Sequence, residues 1–298
     1  MMVRRTADGW DIYAPAKLNF FLEVLGRRED GYHEIVTVVC PIGLYDCLRF
    51  RNDPQGRIRL TVRCAAWWKA VQPTDVPLGS DNLVVRAVEL LRQRSGVSSG
   101  ARIDLYKRIP IAAGLGGGSS DAAATLVAAN KAWALGWPQE KLMELAAELG
   151  SDVPCFIPGG PVVCRGRGEQ VEPIGRWPPM WCVVAKPPAG LSTAAVYRAC
   201  RPADVPNSPN ALLEAAGSGD LAAVGRLLWN RLQDSAAKLS PWIERLSACF
   251  SQLGCLGHAM TGSGTAYFGV FRHARNARFA ARRLSSCGVE VFVVQSCR

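Results

Sequence analysis

Three places in the chain carry residue types that could do chemistry. The first is Ala113-Gly114-Leu115-Gly116-Gly117-Gly118-Ser119-Ser120, which leaves a strand-like run and enters a helical one. Four glycines within five residues let the backbone come close to a ligand with its N–H groups aimed at it. A helix N-terminus adds about half a positive charge, so the segment suits an anion and above all a phosphate. The alternative, a flexible turn with an ordinary helix cap, sits poorly with that glycine density and the two hydroxyls that follow. The second place is Lys17 in APAKLNFF, one of seven lysines, set in an apolar strand where an ammonium needs a partner or a purpose. It could equally stand at the solvated edge of a half-buried strand. The third is Asp152 in LGSDVPCFI, an acid entering an apolar segment, which could also cap a short helix with Pro154 in its first turn. A carboxylate that accepts a hydroxyl proton and a cation that keeps it ionised, next to a phosphate loop, would suit phosphoryl transfer. The sequence alone does not bring these groups together.

Other phosphate loops fit badly. A Walker A loop needs Gly-Lys-Ser/Thr, and no Gly-Lys pair occurs in the chain. Ser119 stands where the protein-kinase and dinucleotide-binding spacings need a third glycine. Gly217-Ser218-Gly219-Asp220-Leu221-Ala222 matches G-x-G-x-x-A but lies between helical stretches, and Gly96-Val97-Ser98-Ser99-Gly100 mimics a hydrolase elbow at a helix-to-strand turn.

The elements that must position these groups read as follows. WDIYAPAKLNFFLEVLGRR, IVTVVCPIGLYDCLRF and RIRLTVRC are strand-like, with EDGYHE joining the first two. SDNLVVRAVELLRQRSG predicts a helix capped by Ser80 or Asp81 and stopped at Gly96. ARIDLYKRI is a strand before the loop, DAAATLVAANKAWALG a helix after it, and PQEKLMELAAELG a helix opened by Pro138 and closed by Gly150. PGGPVVCRGRGEQVEPI predicts a hairpin and MWCVVAKP a buried strand. Three helical segments are expected from Thr193 to Leu253, then a strand (HAMTGSGTAYFGVF), a helix (ARNARFAARRLSSCG) and a strand (VEVFVVQS). Strands cluster before helices, which predicts two α+β domains, 1–160 and 161–298, divided near Pro158-Gly159-Gly160.

Composition narrows the classes. Of 298 residues 49% are apolar, and 35 Lys and Arg face 25 Asp and Glu for a formal charge of +10. Of those cations 28 are Arg, which fits a background preference for Arg as well as an anionic substrate or an RNA surface. The eleven cysteines form no Cys-x-x-Cys, and His33, His258 and His273 stand at no metal-ligand spacing, so zinc and a disulfide scaffold are not expected. Pro and Gly interrupt the most apolar run, VPCFIPGGPVVC, and no apolar stretch follows Arg4 and Arg5. A reduced, cytoplasmic setting is the expectation.

PIAAGLGGGSSDAA resembles the ATP loop of the GHMP kinases, the superfamily of galactokinase, homoserine kinase, mevalonate kinase and phosphomevalonate kinase. APAKLNFFLEVLGRREDGYHEIVTVV is similar, more narrowly, to the N-terminal signature of the family within it that phosphorylates 4-diphosphocytidyl-2-C-methyl-D-erythritol in the non-mevalonate isoprenoid pathway. LGSDVPCF and MTGSGTAYFGVF match that family's acid segment and C-terminal glycine motif, so the matches run in order from Ala14 to Phe271. The resemblance implies that Asp152 is the catalytic base and that Lys17 sits beside it, lowers its pKa and steers the substrate hydroxyl. It implies that Pro110, Ile111, Ala112, Ala113, Gly114, Leu115, Gly116, Gly117, Gly118, Ser119 and Ser120 wrap the ATP phosphates, with Asn82 and Lys107 near the nucleotide. On the substrate side stand Asn19, Tyr32, His33, Thr193 and Tyr197; Tyr32 and Tyr197 would sandwich the cytosine and His33 would read its edge. The implied fold is an N-terminal domain like ribosomal protein S5 domain 2 and a ferredoxin-like C-terminal domain. ATP would be the cosubstrate and Mg²⁺ the expected cation, with no metal ligand named, because the usual superfamily carboxylate has no clear counterpart. Ser151 stands where Ala is usual before the acid, and Tyr197 where Phe is frequent.

The expected partner is therefore a small molecule, with neither nucleic acid nor membrane. The nearest rival is another GHMP kinase of mevalonate or homoserine type, which would need no aromatic sandwich. RNA binding is a remoter one, suggested by Arg272, Arg275, Arg278, Arg282 and Arg283 on the last predicted helix.

Overall fold

The computed structural model describes residues 1–65 and 76–297. β-Branched and aromatic residues set its first elements: β1 (Met2–Arg5), β2 (Trp10–Arg27), β3 (His33–Asp53) and β4 (Ile58–Cys64). The helix α1 (Leu83–Ser95) is capped by Asn82 and not by Ser80 or Asp81; Asn82 Oδ1 accepts the Val84 N–H at 2.9 Å, and Gly96 ends the helix. Asn82 is the residue two before that free N–H, which is the geometry a side-chain cap requires. β5 (Gly100–Lys107) leads through the glycine-rich loop into α2 (Gly117–Ala132), and α3 (Gln139–Leu149) follows between Pro138 and Gly150. A 3₁₀ turn, Pro154–Phe156, has Val153 at its N-cap, so Asp152 does not cap it.

Next come the hairpin β6 (Val162–Gly166) and β7 (Gln170–Pro173), and the strand β8 (Trp181–Lys186). Five helices, in place of the three expected, occupy the following stretch: α4 (Thr193–Ala199), α5 (Asn210–Ser218), α6 (Leu221–Arg226), α7 (Gln233–Leu239) and α8 (Pro241–Ser251), with the two-residue strand β9 (Trp229–Asn230) among them. The apolar period runs on through breaks that are only local. Asp220 caps α6 by accepting the Ala222 and Ala223 N–H groups, and Pro241 restarts the chain after Ser240. The expected strand HAMTGSGTAYFGVF is also two, β10 (Gly257–Met260) and β11 (Tyr267–Phe271), paired antiparallel. Gly262 and Gly264 take φ of +56° and +85° between them, a left-handed backbone that reverses the chain. α9 (Ala274–Ser285) and β12 (Glu290–Gln295) close the described chain.

The chain forms two compact units that interleave in sequence: Met1–Ala16, Leu44–Ile111 and Gly116–Gly159 make the first, and Lys17–Gly43, Ala112–Leu115 and Gly160–Arg298 the second. The long strands β2 and β3 run through both. In the first unit β1 pairs with the start of β2, and the end of β3 pairs with β5, which lies parallel to β4. The helix α1 packs on α2, α3, β4 and β5, burying Val84, Val88 and Leu91. α2 is buried on most of its circumference, which explains its alanines: small side chains let neighbours approach a helix closely.

In the second unit the sheet order is β10-β11-β8-β12, all antiparallel. Counted as four successive strands, that is the split βαβ order of a ferredoxin-like domain, with α9 packed on β8, β11 and β12. The α+β class expected from the sequence is what the chain adopts. On α9 the buried side is Ala277, Ala280 and Leu284, and the arginines face solvent.

Candidate functional site

The unbroken burial of β2 from Ala14 to Val24 decides what Lys17 is. Successive side chains of a strand point to opposite faces, so Lys17, Asn19, Phe21 and Glu23 share one face. On the other, Phe20 packs on Trp177 and Phe268, with ring centroids at 5.1 and 5.4 Å. Lys17 is 3% exposed, which excludes the solvated strand edge. Its Nζ donates to Asn19 Oδ1 at 2.6 Å, Asn19 Nδ2 donates to Thr37 Oγ1 at 2.8 Å, and Thr37 Oγ1 donates to the Phe21 carbonyl at 2.6 Å. A buried amide thus orients the ammonium and is itself held.

The same strand meets the glycine-rich loop. The Lys17 N–H donates to the Leu115 carbonyl at 3.0 Å, and the Ala266 N–H to the Ala113 carbonyl at 3.0 Å. Ala113 and Leu115 are buried, while Ile111, Ala112 and Gly118 are exposed. A Cβ on Gly114 would lie 2.2 Å from the Thr261 carbonyl, so only glycine fits there. Thr261, buried, accepts the Asn19 N–H at 3.0 Å through its hydroxyl. Thr261 was missed in the sequence because its motif is marked by glycines, and its task appears only when the loop is folded against Gly114.

In the first unit, Gly116 caps α2 without a side-chain hydrogen bond, and the first intrahelical bond is that of the Ser120 N–H to the Gly116 carbonyl. The helix therefore begins at Gly117, four residues before the expected Asp121, and the N–H groups of Gly117, Gly118 and Ser119 precede its first bond. That leaves backbone donors and the positive end of the helix for an anion. Lys107, 4% exposed, is paired with the Asp46 carboxylate and, at 2.5 Å, with Asp121. Asp46 also accepts the N–H groups of Arg108 and Ile109, the residues that open the loop. Burial opposes the Lys107 charge, but the two carboxylates outweigh it and raise its pKa. Burial likewise pushes the Asp121 carboxyl well up, Asp46 adds to that, and Lys107 offsets it only in part. Neither Asp46 nor Asp121 was singled out in the sequence; the only signal was Asp121 directly after the loop's serines.

The remaining residues fall as follows. Asn82 spends its side chain on the α1 cap, its Nδ2 donating to the Pro77 carbonyl at 2.6 Å. Pro110 is buried at the loop entry. Asp152 is exposed on the turn after α3, where its carbonyl accepts the Cys155 thiol at 3.1 Å. In the second unit His33 and Tyr197 are brought together, ring centroids 5.1 Å apart and inclined by 38°. Burial and Arg27 lower the His33 pKa, which favours the neutral ring. Tyr32 is 52% exposed, with the Arg167 guanidinium 4.8 Å over its ring. Thr193 shares a hydrogen bond of 2.8 Å with Ser263 in the loop between β10 and β11.

The chain as a whole is similar to known proteins. The GHMP kinases N terminal domain family matches residues 82–160, and the GHMP kinases C terminal family residues 212–290. A 4-diphosphocytidyl-2-C-methyl-D-erythritol kinase of Pelotomaculum thermopropionicum is 44% identical over 285 residues, 95% of this chain and 96% of that one. A crystal structure of a 4-(cytidine 5'-diphospho)-2C-methyl-D-erythritol kinase superposes with a TM-score of 0.79 at 36% identity, over 97% of this chain and 99% of that one. The homoserine kinase of Cytophaga hutchinsonii shares the fold, with a TM-score of 0.76 at 17% identity over 100% of this chain and 97% of that one. The chain belongs to the GHMP kinases and, within them, to the 4-diphosphocytidyl-2-C-methyl-D-erythritol kinase family.

Proposed function

We propose that the chain transfers the γ-phosphoryl group of ATP to the 2-hydroxyl of 4-diphosphocytidyl-2-C-methyl-D-erythritol, a step of the non-mevalonate isoprenoid pathway. The observation that carries this is the buried Lys17, held on Asn19 and joined by its own backbone to the loop that precedes a helix N-terminus. The loop N–H groups and the end of α2 cradle the phosphates. Asp152 accepts the proton of the substrate hydroxyl as the P–O bond forms, and Lys17 holds negative charge on the reacting oxygens. Phosphoryl transfer is mostly positioning and electrostatic stabilisation, so these few groups suffice.

Mg²⁺, bound with the nucleotide, would neutralise phosphate charge. Ser120 Oγ, buried and without a hydrogen-bond partner at the start of α2, is an oxygen of the kind that ion accepts. The neutral His33 ring beside Tyr197 supplies an aromatic surface and a hydrogen-bonding edge for cytosine, and Tyr32 a second surface. Thr193 contacts the substrate, and on the nucleotide side Asn82 acts through the α1 cap and Lys107 through its clamp on Asp46 and Asp121. No helix among the described residues is long and apolar enough to cross a membrane; the enzyme acts in the cytoplasm on a small molecule.

A coupled assay with ATP and the cytidine diphosphate alcohol tests the reading. Turnover with that alcohol, and a fall of about 10²–10⁴-fold in kcat for Asp152→Asn, are expected. Full activity of Asp152→Asn would remove Asp152 as the base. Unchanged substrate KM in Tyr32→Ala would favour a GHMP kinase acting on an alcohol that carries no base.

A further inference from the structure

The stretch between Cys200 and Leu232 is fastened to the strand that carries Lys17. Glu23, fully buried on the Lys17 face of β2, gathers five donors. Its Oε1 accepts the Val24 N–H at 3.0 Å and Arg231 Nε at 2.6 Å. Its Oε2 accepts the Asn207 N–H at 3.2 Å, Trp229 Nε1 at 2.9 Å and an Arg231 Nη at 3.0 Å. A buried carboxylate met by a guanidinium fork and neutral donors is a fixed anchor, because any shift leaves an uncompensated charge. β9 is seated by it, parallel to β2, with Phe21 opposite Trp229 and Leu22 opposite Asn230; the Arg231 N–H donates to the Leu22 carbonyl at 2.8 Å.

Asn230, 7% exposed, then uses both ends of its amide. Oδ1 accepts the Leu232 N–H at 3.0 Å, and Nδ2 donates to the carbonyls of Met260 and Gly262, each at 2.8 Å. Those carbonyls bracket Thr261, whose hydroxyl accepts the Asn19 N–H and whose carbonyl abuts Gly114. A Cβ on Gly262 would lie 3.3 Å from Lys17 Nζ and 3.1 Å from the Gly114 carbonyl. The glycine loop is thus the far wall of the Lys17 site, and Asn230 fixes two of its carbonyls.

We infer that Asn230 is a positioning residue for phosphoryl transfer. Seated by Glu23, it holds the Thr261–Gly262 backbone so that Lys17 Nζ and the Gly114 turn keep their productive placement. The inference rests on the reading that Lys17 serves the reaction.

Asn230→Asp keeps the size and the acceptor but turns a carboxylate oxygen on two carbonyls. In the otherwise native enzyme, kcat falls by about 30-fold while KM for ATP and for the alcohol changes by less than about threefold. In a Lys17→Ala background the same substitution lowers the residual single-turnover rate by less than about threefold, because the group it positions is gone. A role confined to stability would cost the same factor in both backgrounds, and that result overturns the inference. So does native kcat in Asn230→Asp with Lys17→Ala crippled. Full activity of Lys17→Ala alone overturns the functional reading and the inference with it. Where Asn230→Asp does not fold, Asn230→Ser, which retains one donor, serves instead, with an expected loss of about fivefold in the native background and none in the Lys17→Ala background.

Discussion

Each unit buries one lysine beside the glycine-rich loop, and the two are treated in opposite ways. Lys107 in the first unit lies between the carboxylates of Asp46 and Asp121, which outweigh burial and hold its proton more firmly. Lys17 in the second donates to the Asn19 amide, which orients the ammonium without cancelling its charge. A lysine clamped by two acids ties elements together: Asp46 binds the N–H groups of Arg108 and Ile109 at one stem of the loop, and Asp121 lies on the α2 stem. A lysine whose ammonium a buried amide orients is aimed at one place, and charge attraction in a poorly hydrated site is strong. Residue type and burial do not separate the two lysines; their acceptors differ, two carboxylates for Lys107 and the Asn19 amide for Lys17.

Paired substitutions put the largest strain on that contrast. Lys17→Met is expected to lower kcat by about 10³-fold, roughly 4 kcal/mol of transition-state stabilisation, with little change in thermal midpoint. Lys107→Met should do the reverse to the fold. It leaves two buried carboxyl groups facing each other with no cation between them, a loss of about 3–5 kcal/mol of stability. Steady-state kinetics and chemical denaturation of both variants read the contrast directly. Equal denaturation midpoints, or full turnover in Lys17→Met, would erase it.

The sequence exposed one of these lysines better than the other. Lys17 stood out because it interrupts an apolar strand, and the loop because glycine density and two hydroxyls are local properties. Asp46 sits 61 residues from Lys107, and nothing in YDCLRF signals that its side chain will meet a lysine across the sheet. Long-range pairing is invisible to periodicity. The same limit explains Asn230 and Thr261, whose partners lie 30 residues or more away. The two α+β halves were legible, since strand and helix periodicities are local. The five short helices were not, because their breaks at Gly219-Asp220 and Ser240-Pro241 fall within one continuous apolar pattern. The Asn82 cap was misplaced by one or two residues, because Ser80, Asp81 and Asn82 are all capping residues and only the backbone selects among them.

A second contrast sharpens the first: the aromatic pair in the second unit should act on one substrate only. Tyr197→Ala is expected to raise KM for the cytidine diphosphate alcohol by about tenfold, the effect of removing one base-stacking surface, with KM for ATP unchanged. Tyr197→Phe keeps the ring and should stay within about twofold. Equal shifts in both KM values would mean that the pair with His33 is packing and not a base platform.

The smallest effect tests the clamp of the first unit through its pH dependence. Burial and the neighbouring Asp46 raise the Asp121 carboxyl well above its ordinary 3.8, with Lys107 opposing. The folded chain therefore holds a proton at Asp121 that the unfolded chain has already released. Between the ordinary carboxylate range and the raised folded value, the native state binds more protons, so stability falls as pH rises through that window. Asp121→Asn removes the titration while Asp46 still pairs with Lys107. The variant should match the native chain to within about 1 kcal/mol at acid pH and gain on it progressively as pH rises toward neutrality. Urea midpoints of both chains across that range measure the difference. A variant that loses ground as pH rises would show that the ionised Asp121 strengthens the clamp, and that Lys107 needs both carboxylates.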